Sequence, residues 1–189
     1  MTGSYSRPGG APALPGPPAM TSKLGDWTLE LRPIRADDEA LWLTLMKEMS
    51  WATRYKRGAR RVEDLRPQDV RQAVAPDPVS EMALVALATR AGEARMVGVA
   101  RAVQLDGTWE FALVVLDEWQ RRGVGRRLMH ALLRALQERS ARCVEGDVLA
   151  SNRNMLDFVQ RLGFRIAPHP ESRSLKRVTR DIAPPGSAP

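Results

Sequence analysis

Two tight turns fix most of what this chain can become. Three apolar runs, 81–89, 96–104 and 108–116, follow one another with almost no chain between them. The first two meet around Ala91-Gly92-Glu93, and Asp106-Gly107 turns the second into the third. Asp-Gly supplies the positive φ angles that a two-residue hairpin demands, so the three runs lie side by side as an antiparallel meander. Residues 123–139 then repeat apolar side chains at helical spacing: Val124, Leu128, Leu132 and Leu136, with Met129 and Leu133 widening the stripe. A helix with so broad an apolar face must be buried against a sheet.

The flanking segments extend this pattern. Residues 27–34 alternate (Trp27, Leu29, Leu31) as a strand does. Residues 36–49 read as a helix, with Asp37 as its cap and Leu41, Leu45 and Met49 on one face. Residues 50–66 read as polar, basic and irregular. Residues 67–75 suit a short helix with Pro67 in its first turn, stopped by Pro76-Asp77-Pro78. A strand over 142–149 and a helix over 152–162, ended by Gly163, precede closing strands at 164–166 and 175–182. Residues 1–24 are rich in Pro, Gly, Ser and Ala and have too little apolar surface to offset their ordering entropy, as do residues 183–189. The expected organisation is one α/β domain over 25–182 between a disordered arm and a disordered tail.

Composition narrows the class. The longest apolar runs, 82–88 and 111–116, fall far short of the roughly 20 residues that cross a bilayer as a helix, and no secretory apolar stretch opens the chain. A single cysteine, Cys143, excludes an internal disulfide and favours the cytoplasm; mid-strand, it reads as a core residue rather than a nucleophile. His130 and His169 stand apart without metal-ligand spacing, so no metal is expected. The net charge of +7 suits an anionic ligand or partner. Aromatic residues, at 5%, are too sparse for the stacking platforms of a nucleic-acid binder. The basic residues cluster at Arg54–Arg61, at Arg121–Arg127 and at Arg173–Arg180. The first and third read as solvated surface; the second surrounds two glycines.

That second cluster, Gln120-Arg121-Arg122-Gly123-Val124-Gly125-Arg126-Arg127, joins a strand to a long helix. A helix start presents unpaired N–H groups and the positive end of the helix dipole. Gly123 and Gly125 let a phosphate approach the backbone, and arginines surround it with charge. The spacing fits equally a tight turn with packing glycines. It lacks the third glycine of a dinucleotide fingerprint and the Gly-Lys-Ser/Thr of a P-loop.

Gln-x-x-Gly-x-Gly between strand and helix resembles the acyl-CoA loop of the GNAT acetyltransferases. A second stretch, Asn152-Arg153-Asn154-Met155-Leu156 followed by Leu162-Gly163-Phe164, is similar to another motif of that family. The resemblance spans about 27–182. It implies a mixed, mostly antiparallel central sheet covered by helices on both faces, with acetyl-CoA as acyl donor. It also implies that the CoA pyrophosphate sits on the backbone of Gln120, Arg121, Arg122, Gly123, Val124, Gly125 and Arg126, with Asn152 helping to hold the cofactor. Asn152 also reads as a helix N-cap. Further stretches resemble the catalytic domains of bacterial protein lysine acetyltransferases that modify acetyl-CoA synthetase. They are Leu31-Arg32-Pro33-Ile34-Arg35 with Asp37-Asp38-Glu39, Ser50 through Arg54-Tyr55, residues 81–86, 97–101 and 146–156, and Glu110-Phe111-Ala112.

An amine must lose a proton before it attacks a thioester, because a lysine pKa near 10.4 keeps it charged at neutral pH. The resemblance implies Glu110 as the base, and burial against Trp109 or Phe111 would tune it; Glu81 is the alternative carboxylate. It also implies backbone N–H groups near Val115 and Leu116 as oxyanion donors. Many GNAT enzymes carry a tyrosine, to protonate the departing thiolate, where this chain has Val159; Phe158 beside it cannot donate. The expected partners are acetyl-CoA and a protein acceptor such as an acyl-CoA synthetase, with neither nucleic acid nor membrane. A small-molecule amine acetyltransferase and a non-catalytic acyl-CoA-binding module are the alternatives; Glu110 speaks against the module.

Overall fold

A computed structural model describes residues 17–57 and 64–182. Its strands are β1 (Met20–Leu24), β2 (Trp27–Pro33), β3 (Glu81–Arg90), β4 (Glu93–Leu105), β5 (Thr108–Val115), β6 (Cys143–Leu149), β7 (Arg165–Pro168) and β8 (Leu175–Asp181). The helices are α1 (Glu39–Glu48), α2 (Trp51–Arg57), α3 (Pro67–Val74), α4 (Val124–Glu138) and α5 (Arg153–Arg161). The strands form one sheet in the order β1-β2-β3-β4-β5-β6-β8-β7. Neighbours are antiparallel except β5 and β6, which run parallel.

The meander forms as the turns dictate, with left-handed residues at Ala91 and Gly92 and again at Asp106 and Gly107. Strand alternation then sorts the helices onto two faces. Gly98 faces α4 so closely that a Cβ there would stand 3.0 Å from Leu128 Cδ1. Three residues on, Arg101 points the other way and donates to the carbonyls of Gln72 and Ala73 on and beside the last turn of α3. The apolar stripe of α4 is buried as expected: Val124, Leu128, Met129, Leu132, Leu133, Ala135 and Leu136.

Four local expectations are corrected. Residues 20–24 of the anticipated arm form β1, pairing along their whole length with β2. The predicted helix over 36–49 begins as a 3-10 turn, Ala36–Asp38, and becomes α-helical at Glu39. Asp38 rather than Asp37 organises its start. Its carboxylate accepts the Arg35 N–H at 2.8 Å and both ends of the Arg32 guanidinium at 2.7 Å. Finally, residues 51–57, read as irregular, form α2. Arg54 on that helix turns inward to donate to the Met46 and Met49 carbonyls, so it is not a surface charge. Arg60 and Arg61 lie outside the described residues.

The Arg32–Asp38 pair is buried, at 7% and 2% exposure. Burial alone pushes the Asp38 carboxyl up; the Arg32 fork and the Arg35 N–H outweigh it and hold the group below its ordinary 3.8. Asp38→Asn leaves the guanidinium buried without its counter-charge. It should lower the unfolding free energy by about 3–5 kcal/mol, read by urea denaturation near neutral pH. Because the folded carboxyl is the stronger acid, the pair's contribution is present above about 3.8 and is lost as pH falls through the lowered folded value. The difference between wild type and variant should therefore shrink in acid.

Candidate active site: a gap between two parallel strands

β5 and β6 register at only two steps, Trp109↔Val144 and Glu110↔Glu145, and then part. The cause is local. The Phe111 side chain lies directly over Gly146, where a Cβ would fall 2.8 Å from Phe111 Cε1. Only glycine lets β6 pass, and Phe164 braces the Phe111 ring at 5.2 Å between centroids. Beyond this point a cleft of about 1430 Å³ opens. Its apolar lining includes Leu113, Val115, Val148, Met155 and Phe158, and Gly125 closes it at the start of α4.

The route from β5 into α4 is held at each step. Leu116 donates its N–H to the Val97 carbonyl at 3.0 Å. A 3-10 turn, Asp117–Trp119, follows. Gln120 reaches back with Nε2 to the Val115 carbonyl at 3.0 Å. Arg121 and Gly123 then adopt left-handed backbone, φ 57° and 82°. The first helical bond runs from Arg127 N–H to Gly123 O at 3.1 Å. The N–H groups of Val124, Gly125 and Arg126 therefore precede any intrahelical acceptor and open toward the loop. Arg121 and Arg126 line the cleft, with His130 next to Arg126 at 3.4 Å. Arg122 instead lies over the Trp119 ring, 5.4 Å from its centroid, and the Val124 side chain is fully buried.

The residues expected at the reacting end do not all come together. Glu110 lines the cleft and is exposed. The anticipated burial against Trp109 and Phe111 does not occur, because alternation sends those rings to the opposite face. Glu81 is committed to an ion pair with Arg101. Leu116 is corrected as an oxyanion donor, since Val97 takes its N–H and the residue is buried. The same alternation turns the N–H groups of Leu113 and Val115 to the other edge of β5, toward the gap. Asn152 caps α5, accepting the Met155 N–H at 3.4 Å, and also lines the cleft. Val159 is fully buried, whereas Phe158 faces the cleft. No tyrosine lines the cleft among the described residues. Burial, and then Glu145 and Asp181 nearby, push the Cys143 thiol up, which disfavours a thiolate nucleophile.

Two features escaped the sequence reading. Thr53 of α2 lines the cleft and hydrogen-bonds Asp117. On β6 and β8, Glu145, Asp147 and Arg177 form a polar cluster with His169. The alternation of Cys143, Glu145 and Asp147 along one face of β6 was a signal that could have disclosed its acidic half.

The two loop glycines have different tasks. At Gly123 the space is open but φ is +82°; at Gly125 a Cβ would meet Leu113 and Val115 at an ordinary 3.5 Å. Gly123→Ala should therefore cost about 1–2 kcal/mol of stability and Gly125→Ala almost none, read as paired thermal melts. Equal losses would contradict the assigned backbone.

The family model for the Acetyltransferase (GNAT) family matches residues 42–164. The acetyltransferase PA5475 of Pseudomonas aeruginosa is 31% identical over 136 residues, covering 71% of this chain and 73% of that protein. Among solved structures, the GNAT domain of S. lividans PAT superposes with a TM-score of 0.74 at 22% identity, covering 86% of this chain and 96% of that one. The PaiA N-acetyltransferase of Thermoplasma acidophilum, solved in complex with coenzyme A, gives 0.58 at 11% identity, with 81% and 98% covered. These structures share the fold, and the family model and the Pseudomonas relative carry the assignment further: this chain is an enzyme of the GNAT family, an acetyl-CoA-dependent acetyltransferase.

Proposed function

We propose that the chain acetylates the side-chain amine of a lysine on a folded protein, with Glu110 as general base. The observation that carries the reading is the order of features along β5. A carboxylate stands at the last registered step, an apolar gap follows, and the amide end of α4 lies beyond. The residues present fit acetyl-CoA. The N–H groups of Val124, Gly125 and Arg126, with the Arg121 and Arg126 guanidiniums, suit a pyrophosphate. Leu113, Val115 and Phe158 suit the arm that carries the thioester.

Glu110 accepts a proton from the incoming ammonium, and the freed nitrogen lone pair attacks the thioester carbon. The Val115 N–H meets the negative charge that develops on the thioester oxygen. The C–N bond forms first, and the C–S bond breaks as the oxygen lone pair re-forms the carbonyl. The second amine proton leaves with the departing sulfur, by way of water, because no phenol lines the gap among the described residues. Glu110→Gln keeps the shape but cannot accept a proton. It should lower turnover by about 10²–10⁴-fold with acetyl-CoA affinity unchanged by calorimetry. Turnover within a few-fold of wild type would remove Glu110 from the mechanism.

The acceptor reading rests on the resemblance to protein lysine acetyltransferases and on α2. Trp51 and Tyr55, 75% and 60% exposed, stack 5.3 Å apart on the helix that brings Thr53 to the cleft. A flat, exposed aromatic pair on that helix suits a macromolecular surface better than a small amine. Arg32 and Asp38, within one matching stretch, hold each other and so bear on folding rather than on acceptor choice. An AMP-forming acyl-CoA synthetase of the same species is the acceptor to test. Mass spectrometry should find site-specific lysine acetylation, and Trp51→Ala should raise KM for the protein several-fold while leaving turnover of free lysine unchanged. Efficient acetylation of free amines with no protein modified would favour a small-molecule enzyme.

A further inference from the structure

Beside Glu110 lies a charge cluster that the chemistry above does not use. Glu145 is in register with Glu110 across the last paired step of β5 and β6, so both side chains leave the same face of strands about 4.8 Å apart. Asp147, two residues on, shares that face and lines the cleft. Two carboxylates in register on one face repel each other.

Arg177 meets that charge from β8, where it is registered with Asp147. Its Nη1 donates to Glu145 Oε1 at 2.9 Å, while Nε and Nη2 grip Asp147 at 2.6 and 3.3 Å. His169 completes the arrangement. Its Nδ1 accepts the Glu171 N–H at 3.1 Å, and its Nε2 lies 3.2 Å from Asp147 Oδ2 and 3.1 Å from Arg177 Nη2. One guanidinium thus ties two carboxylates on separate steps of β6.

Several other charged groups around the cleft have partners of their own. From β4, Arg101 is held by Glu81 and by α3 carbonyls. From α2, Arg54 is turned onto Met46 and Met49, Tyr55 stacks outward on Trp51, and Thr53 bonds Asp117. Cys143 shares the β6 face, and β8 pairs Asp181 with Arg165. From α5, Asp157 and Arg161 line the cleft. The face-sharing positions of β5 itself, Ala112 and Val114, carry no charge.

We infer that Arg177 is a positioning residue for the reaction: by holding Glu145 and Asp147 it offsets their negative charge beside Glu110 and so sets the pH range in which Glu110 takes a proton. The inference rests on Glu110 being the base. Loss of the guanidinium leaves both neighbouring carboxylates uncompensated and favours the protonated, inactive Glu110. Loss of the Glu145 charge does the reverse.

The test is kcat/KM against pH, followed by release of free thiol from acetyl-CoA with a short lysine peptide as acceptor. Arg177→Met should move the acid limb up by about one pH unit. Glu145→Gln should move it down by a comparable amount, and Arg177→Lys should hold it near wild type. A merely structural Arg177 would change the height of the profile and not shift the limb in opposite directions. If both limbs stay in place while Glu110→Gln is inactive, the inference is overturned and the base reading stands. If Glu110→Gln retains turnover, the base reading fails and takes the inference with it. Should Arg177→Met not fold, Glu145→Gln decides alone: a limb that does not move down overturns the proposal.

Discussion

The parting of β5 from β6 is the constraint on which the rest depends. A parallel pair normally continues until its strands end, because each lost step strands backbone donors and acceptors. Here the pairing stops after two steps, beside the Phe111 ring that sits over Gly146 and is braced by Phe164. β6 keeps its other edge paired with β8 along its full length. β5 recovers one through Gln120, whose side chain takes the Val115 carbonyl. What remains along that edge of β5, including the Val115 N–H, faces a gap roofed by α5 and the start of α4. The sheet stays continuous while holding a slot open in its middle.

Rigidity around the slot follows from burial elsewhere. Seven residues of α4 are buried, so the helix cannot shift on the sheet, and its first turn is fixed relative to β5. The left-handed backbone at Arg121 and Gly123 is strained or glycine-dependent, and that flanking packing holds it. The amide groups are thereby aimed before any anion arrives. On the far side, the buried Arg32–Asp38 pair fixes where α1 begins, and α1 in turn carries the Met46 and Met49 carbonyls that anchor α2 through Arg54. α2 therefore reaches the mouth of the slot by a chain of polar contacts rather than by an apolar face.

Those same facts explain what the sequence disclosed. The hairpin turns, the α4 stripe, the glycine loop and the Asn152 cap are local signals, each set by residues within one or two turns of chain. β1 left no such signal, because it is an edge strand held by backbone bonds with most of its side chains exposed, Met20 at 56%. α2 was missed because Trp51 and Tyr55 point to solvent, so no apolar stripe marks it. Asp38 was passed over for its neighbour because its choice depends on Arg32, six residues back on a strand. The gap itself arises between residues 109–110 and 144–145, and the Arg177 cluster joins positions about thirty residues apart. Contacts at that separation are set by sheet topology, which no local pattern encodes. The commitment of the Leu116 N–H to Val97 likewise depends on β4 register.

We propose that the slot between β5 and β6 is where acetyl-CoA binds and where its thioester meets Glu110. A crystal structure with coenzyme A tests it most directly. The expected complex has the pyrophosphate on the N–H groups of residues 124–126, the pantetheine arm between β5 and β6, and the sulfur within reach of the Val115 N–H on the Glu110 side. Coenzyme A bound outside the slot, or with its sulfur turned away from Glu110, would contradict it.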